Sequence, residues 1–220
     1  PDYADPRFAE EISGVADGVA NTPAQAAQWE IWIQRAHMVV ALDNATCSSF
    51  AAWRDATVNG NLLQTQNLDS VLLFGAQAYD HPAIVVYIPD DGVPHANATF
   101  AGLVGSFTGI NLAGVTLSAV SNPLPGVPYG VGDLRGLDST SMLRGILYDA
   151  RRLSDAFTAV SDATRVKRYH YIIGDSLWEH NAVKIRAWEP LPPPSNFVVW
   201  YENDPSDENA PNVLPGILYS

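Results

Sequence analysis

Residues 47–69 read CSSFAAWRDATVNGNLLQTQNLD. Two runs with strand chemistry, Ser48 to Thr57 and Leu62 to Asp69, flank the turn Val58-Asn59-Gly60-Asn61. Asn-Gly between such runs is a strong short-range signal for a β-hairpin. The chain's single cysteine opens the stretch and an aspartate closes it, so a hairpin returns Asp69 beside Cys47. Cys47 also follows a helical segment, at a junction where a side chain can project from the end of a sheet.

Upstream, PRFAEEISGVADGVA at 6–20 spaces Phe8, Ile12, Val15 and Val19 at helical intervals, with Pro6 near the start and Glu10 and Glu11 following. A second helix is expected from Pro23 to about Leu42, with Trp29, Trp32, Ile33, Ala36 and Val40 on one side. Downstream, the nearly continuous β-branched run at 83–88 (AIVVYI) predicts a buried strand. Phe100 to Phe107 and Val115 to Val120 read as further strands, and Pro and Gly crowd a loop at 123–136. Helices return from about Thr140 to Arg151 and from Ser154, taken as the N-cap, to about Ala163. Strands close the pattern at 169–173, 182–188 and 197–202. Two helices, a block of strands, two helices and more strands make an α+β protein, helices covering antiparallel sheets, in one domain over 1–220.

The formal net charge is −12, and Lys167 and Lys184 are the only lysines. A nucleic-acid partner needs a positive face to neutralise phosphates, and none is expected here. An anionic membrane surface is disfavoured for the same reason. No window holds 18 uninterrupted apolar residues, so no transmembrane segment is expected. The chain begins at Pro1 with neither Met nor an apolar signal region, and reads as processed or as a piece. With Lys scarce, the reading leans toward an exported protein and leaves the compartment open.

One cysteine excludes an intramolecular disulfide and any multi-cysteine zinc site. His37, His81, His95, His170 and His180 show neither metalloprotease spacing nor a cysteine-protease context, and no phosphate loop occurs. A lone cysteine is most often a small buried hydrophobe. The other reading of Cys47 needs no histidine. If the bond before it is cut, its own α-amine, titrating near ~8, lies beside a thiol titrating near ~8.5. The nucleophile then carries its own base, given a carboxylate for the ammonium form and donors for an oxyanion.

The same stretch resembles the start of the mature β-chain in the acyl-coenzyme A:isopenicillin N acyltransferase-like family of cysteine N-terminal-nucleophile hydrolases. SGVADGV at 13–19 is similar to the family's propeptide helix, GLVGSFTGINLAGVTLSAVSN at 102–122 to its glycine-rich strand pair, and YHYIIGDS at 169–176 to a later strand. The resemblance implies a four-layer αββα sandwich without a cofactor or metal. It implies autocatalytic cleavage between Thr46 and Cys47, leaving 1–46 as propeptide or α-chain and 47–220 as the start of a β-chain that relatives continue past Ser220. Cys47 becomes the nucleophile, Asp69 the holder of its amine, and Asn122 an oxyanion contributor. Ser49 takes a hydroxyl position near the nucleophile and Gln66 a substrate-binding position where Arg is common. The implied partners are a small-molecule amide or acyl substrate and the chain's own cleaved α-chain, with oligomerisation left open.

The leading reading is therefore an amidohydrolase or acyltransferase acting at C–N bonds through a cysteinyl thioester. The alternatives are a lipid amidase or phospholipase-B-like hydrolase, with 72–79 (LLFGAQAY) as an acyl pocket, and an inactive homologue serving as a binding module.

Overall fold

The computed structural model of the chain describes residues 5–42, 46–69, 80–121, 136–165, 169–187, 197–202, 204–207 and 215–220. Helix α1 (Pro6–Val19) starts where Asp5, in extended conformation, accepts the Arg7 N–H at 2.9 Å. That bond satisfies one of the first-turn donors, and Pro6 fills a position that needs none. Helix α2 (Pro23–Leu42) packs against α1 and follows Thr22, whose hydroxyl accepts the Gln25 N–H at 3.2 Å.

The hairpin forms as β1 (Thr46–Arg54) and β2 (Gly60–Asp69), antiparallel, with Ala51 opposite Gln64. Gly60 takes φ +71°, a backbone region that glycine enters without a Cβ penalty. The first strand is shorter than the sequence suggests: it stops at a register shift between Ala52 and Arg54, and 55–59 turn. Next come β3 (Pro82–Tyr87), β4 (His95–Phe100), β5 (Thr108–Asn111) and β6 (Val115–Ser121). Helices α3 (Ser139–Asp149) and α4 (Leu153–Asp162) follow, then β7 (Tyr169–Asp175), β8 (Asn181–Ala187), β9 (Phe197–Trp200) and β10 (Ile217–Tyr219).

Strands β3 to β9 form a seven-stranded antiparallel sheet in chain order, and β10-β1-β2 form a three-stranded one. The two sheets face each other. Their close approach is set at Gly174, where any Cβ would collide with the Leu62 side chain and the Thr116 hydroxyl. Strand β6 shows the consequence of a two-residue period. Val115, Leu117 and Ala119 point to α3 and α4, joining Leu143, Ile146, Leu147, Tyr171, Ile173, Val183 and Ile185 in the main core. Thr116 and Ser118 point to the small sheet, where Ala51, Trp53, Ile172, Ala182 and Leu218 make a second, smaller core. The outer face of the small sheet, with Phe50, Leu63 and Tyr219, is exposed to solvent among the described residues. These residues thus supply both sheets and a helical layer of the expected αββα sandwich.

Three expectations are corrected. The strand expected at 100–107 is instead the end of β4, a turn, and the approach to β5, because Gly102 at φ +85° and Gly105 break the run. Among the described residues the run at 83–88 lies at a sheet edge with β4 as its only neighbour, and Ile84 and Val86 are 78% and 65% exposed rather than buried. Helix α4 is capped two residues earlier than Ser154. Arg152 is the cap residue, and the Asp155 carboxylate accepts the Arg151 and Arg152 N–H groups at 2.9 and 3.1 Å. Residues 72–79 and most of the Pro- and Gly-rich loop lie outside the described residues.

Candidate functional site

Cys47 lies at the start of β1, half-buried, opposite Leu68. The rung before it pairs Thr46 with Asp69, so the Thr46–Cys47 peptide bond and the Asp69 backbone sit on neighbouring rungs. Paired residues of an antiparallel ladder share a face. Cys47, Ser49 and Ala51 therefore face the large sheet with Leu68, Gln66 and Gln64. Asp69 belongs to the alternate set, is exposed, and accepts a bond from the Asn67 side-chain amide at 2.6 Å.

Behind Cys47 the inter-sheet space is polar. Ser49 is 2% exposed, and its hydroxyl lies 2.5 Å from that of Ser118 and 3.1 Å from the Thr65 carbonyl, to which it donates. Gln64 donates to the Ser118 hydroxyl at 2.8 Å and the Ile172 carbonyl at 2.9 Å, and accepts from the Thr116 hydroxyl at 2.6 Å. Gln66 donates to the Ala119 carbonyl at 2.6 Å, while its own buried carbonyl oxygen has no hydrogen-bond partner among the described residues. On the other side of β1, Ser49 and Ser220 exchange both backbone bonds, at 2.7 and 2.8 Å. The Ser220 hydroxyl meets His170 Nδ1 at 2.9 Å. Such bonds are directional, so together they fix the register of the strand that carries Cys47.

The order of these contacts orients the site. From Gln64 to Gln66 the partners move along β6 from Thr116 toward Ala119. Cys47 and Leu68, one step further, thus lie toward the Ser121 end of β6, from which the chain leads on to Asn122. Asn122 is outside the described residues.

The structure brings Cys47, Ser49, Gln66 and the scissile-bond candidate together, with Asp69 one rung away. Sequence reasoning missed Gln64, Ser118 and Ser220, and set His170 aside with the other histidines. The available signal was the unusual run of Thr116 and Ser118 at alternate positions of an otherwise apolar strand. At the opposite end of the sheet, Asp175 closes β7 and accepts the Leu177 and Trp178 N–H groups at 3.1 and 2.8 Å, a turn-capping role.

No family model matches the chain. Over 107 residues it is 34% identical to protein dcd1B of Dictyostelium discoideum, covering 47% of this chain and 19% of that protein. Over 118 residues it is 33% identical to protein dcd1A of the same organism, covering 49% and 24%. The chain thus spans a quarter or less of these curated relatives. Among solved structures, the fold is similar to a Caenorhabditis elegans ortholog of N-acylethanolamine-hydrolyzing acid amidase, with TM-score 0.57 and 15% identity over 79% of this chain and 69% of that one. It is also similar to a mutant of the conjugated bile acid hydrolase of Clostridium perfringens, with TM-score 0.52 and 14% identity over 72% and 51%. The α+β sandwich of this chain is the fold of these N-terminal-nucleophile hydrolases.

Proposed function

We propose that the chain is the nucleophile-bearing part of an autoprocessing amide hydrolase in which Cys47 acts twice. The observation that carries this reading is the register at the head of the hairpin. It sets the only thiol, the Thr46–Cys47 bond and a carboxylate on adjacent rungs, in a sandwich whose fold is similar to that of solved amide hydrolases.

In the first act the Cys47 thiolate attacks the Thr46 carbonyl carbon. The peptide C–N bond breaks, its nitrogen takes up a proton, and a thioester joins Thr46 to sulfur. Water hydrolyses that ester, leaving a carboxylate on Thr46 and both thiol and α-amine on Cys47. In the second act the free amine, titrating near ~8, takes the thiol proton. The sulfur adds to a substrate amide carbonyl, and the proton passes to the departing nitrogen. Water then releases the acid, or a second amine takes the acyl group. Asp69 holds the ammonium form, reached by a side-chain rotation once the chain is cut. Asn122 contributes to the oxyanion site, where one donor is worth about 3 kcal/mol. Ser49 and Gln66 hold the nucleophile strand and border the substrate.

Within this class we favour an N-acyl amide with a neutral amine portion. Gln66 supplies an amide where a cation would select a substrate carboxylate, and one structural neighbour is named for N-acylethanolamine hydrolysis. Denaturing mass spectrometry is the test. Fragments 1–46 and 47–220, absent after Cys47→Ala, are the expected result. A wild-type chain that stays whole under all conditions and cleaves no N-acyl amide sinks the proposal.

A further inference from the structure

The helical layer contains a large polar exception to its apolar character. Arg144 of α3 is 0% exposed, yet every face of its guanidinium is engaged. Nε–H donates to His95 Nε2 at 3.0 Å, Nη1 to the Val104 carbonyl at 2.7 Å, and Nη2 to the Glu11 carboxylate at 2.8 Å. The Tyr87 ring lies under the guanidinium carbon at 3.4 Å, and the Tyr87 hydroxyl donates to the other Glu11 oxygen at 2.9 Å. Glu11 belongs to α1, and all the other partners come from the body after Cys47. Phe8, one turn earlier on α1, is buried against Tyr148. Helix α2 adds a second tie to the same loop, His37 Nε2 accepting the Val104 N–H at 3.1 Å.

We propose that the contact of Arg144 with Glu11 is the latch that decides how tightly the two-helix segment 5–42 holds to the body when the backbone between them is cut. The partner surface is the Arg144–Tyr87–His95–Tyr148 pocket. Its ligand is an amphipathic helix presenting a carboxylate one turn after an aromatic ring. The physical reason lies in the cost of leaving. Arg144 is 0% and Glu11 24% accessible, so taking the carboxylate away leaves a buried guanidinium without its counter-charge, which is less favourable than separating an exposed pair. The Arg7–Asp149 bridge on the same helix is such an exposed pair, with side chains 35% and 63% accessible, and contributes little. The latch rests on the proposed scission only for its natural setting, and the experiment below does not depend on it.

A specific-protease site replacing residues 43–45, in a Cys47→Ala background, allows the chain to be cut whether or not it cuts itself. Native mass spectrometry over a dilution series then reads the affinity of the helical piece. The 1:1 complex is expected to survive cutting. Glu11→Gln should raise the dissociation constant at least about tenfold, and Arg7→Ala less than about threefold. Glu11→Leu alone should release the piece. Adding Arg144→Met should restore binding by at least about tenfold, because no charge is then stranded. If Glu11→Leu fails to fold uncut while the double variant folds, the latch stands. A wild-type piece that separates on cutting overturns it. So does equal affinity for Glu11→Gln and wild type, or a double variant no better than Glu11→Leu alone.

Discussion

The two faces of the seven-stranded sheet are built on different principles. Toward α3 and α4, Leu117, Ile173, Val183 and Ile185 meet Leu143, Ile146 and Leu147 in an apolar core. Toward the small sheet, beside the smaller core of Ala51, Trp53, Ile172, Ala182 and Leu218, strand β6 offers Thr116 and Ser118 to Ser49 and Gln64. An apolar face gains free energy from area alone, roughly 1.5–3 kcal/mol per large side chain, and tolerates small shifts. A polar seam adds less net stability but admits only one register, since a slipped donor is an unsatisfied one. The difference separates tasks: the apolar face holds the domain together, and the seam fixes where the Cys47 strand lies.

The largest expected effect divides the faces by function. Cys47→Ala should abolish self-cleavage and turnover while leaving the unfolding midpoint near wild type; circular dichroism alongside an N-acyl amide assay checks both. Next in size, Leu147→Ala on the apolar face should lower stability by about 2–5 kcal/mol, with the folded fraction as active as wild type. Urea unfolding followed by assays at low denaturant measures each part. Activity lost ahead of unfolding in that variant would break the division of tasks.

A smaller but more telling change is Gln64→Leu in the seam. It removes three hydrogen bonds and leaves Ser118, Thr116 and the Ile172 carbonyl short of partners, at a cost of about 1–3 kcal/mol. Turnover should fall more than this stability loss explains, because the strand carrying Cys47 loses its register. A fall in kcat with KM little changed is the expected signature. Unchanged kcat in a folded variant would reduce the seam to packing.

The contrast between faces also explains what the sequence disclosed. Local signals were strong where local chemistry decides: Pro6 and Pro23 at helix starts, Asn59-Gly60 at the hairpin, and the strand run from Val115 to Val120. The hairpin in turn brings Asp69 opposite Thr46. The run at 83–88 misled because apolar content does not say whether a strand has one neighbour or two. Contacts between distant segments left no trace. Glu11 and Arg144 are 133 residues apart and Gln64 and Ser118 are 54; Glu11, Arg144 and Gln64 each read alone as an ordinary surface residue, and Ser118 only as a polar position in an apolar strand. Only the fold makes them partners.

Acid is the gentlest probe, because near neutrality its effect grows by fractions of a kcal/mol. The Ser49, Ser118, Gln64 and Thr116 bonds of the seam hold no proton that titrates there. The Arg144 latch does. His95 Nδ1–H donates to the Val93 carbonyl at 2.8 Å while Nε2 accepts from Arg144, so the ring must be neutral. His37 Nε2 likewise accepts from Val104. Burial is the chief cause that lowers both pKa values from 6.5. Around His95, Arg144 and Arg7 add to the lowering and Glu11 opposes it, with the Tyr87 and Tyr148 rings packed against the imidazole. Around His37, Asp138 and Glu11 oppose the lowering. A depressed folded pKa means that the unfolded chain takes up protons first. Stability is therefore complete above about pH 6.5 and declines as pH falls from there toward the folded values. His95→Gln keeps an acceptor for Arg144 without a titrating proton, so it should flatten part of that decline. Urea midpoints at pH 7.5 and 5.0 for both proteins decide the point. An equal loss in the two would place the acid-sensitive groups elsewhere and leave the helical layer, like the seam, without a proton-linked contact at His95.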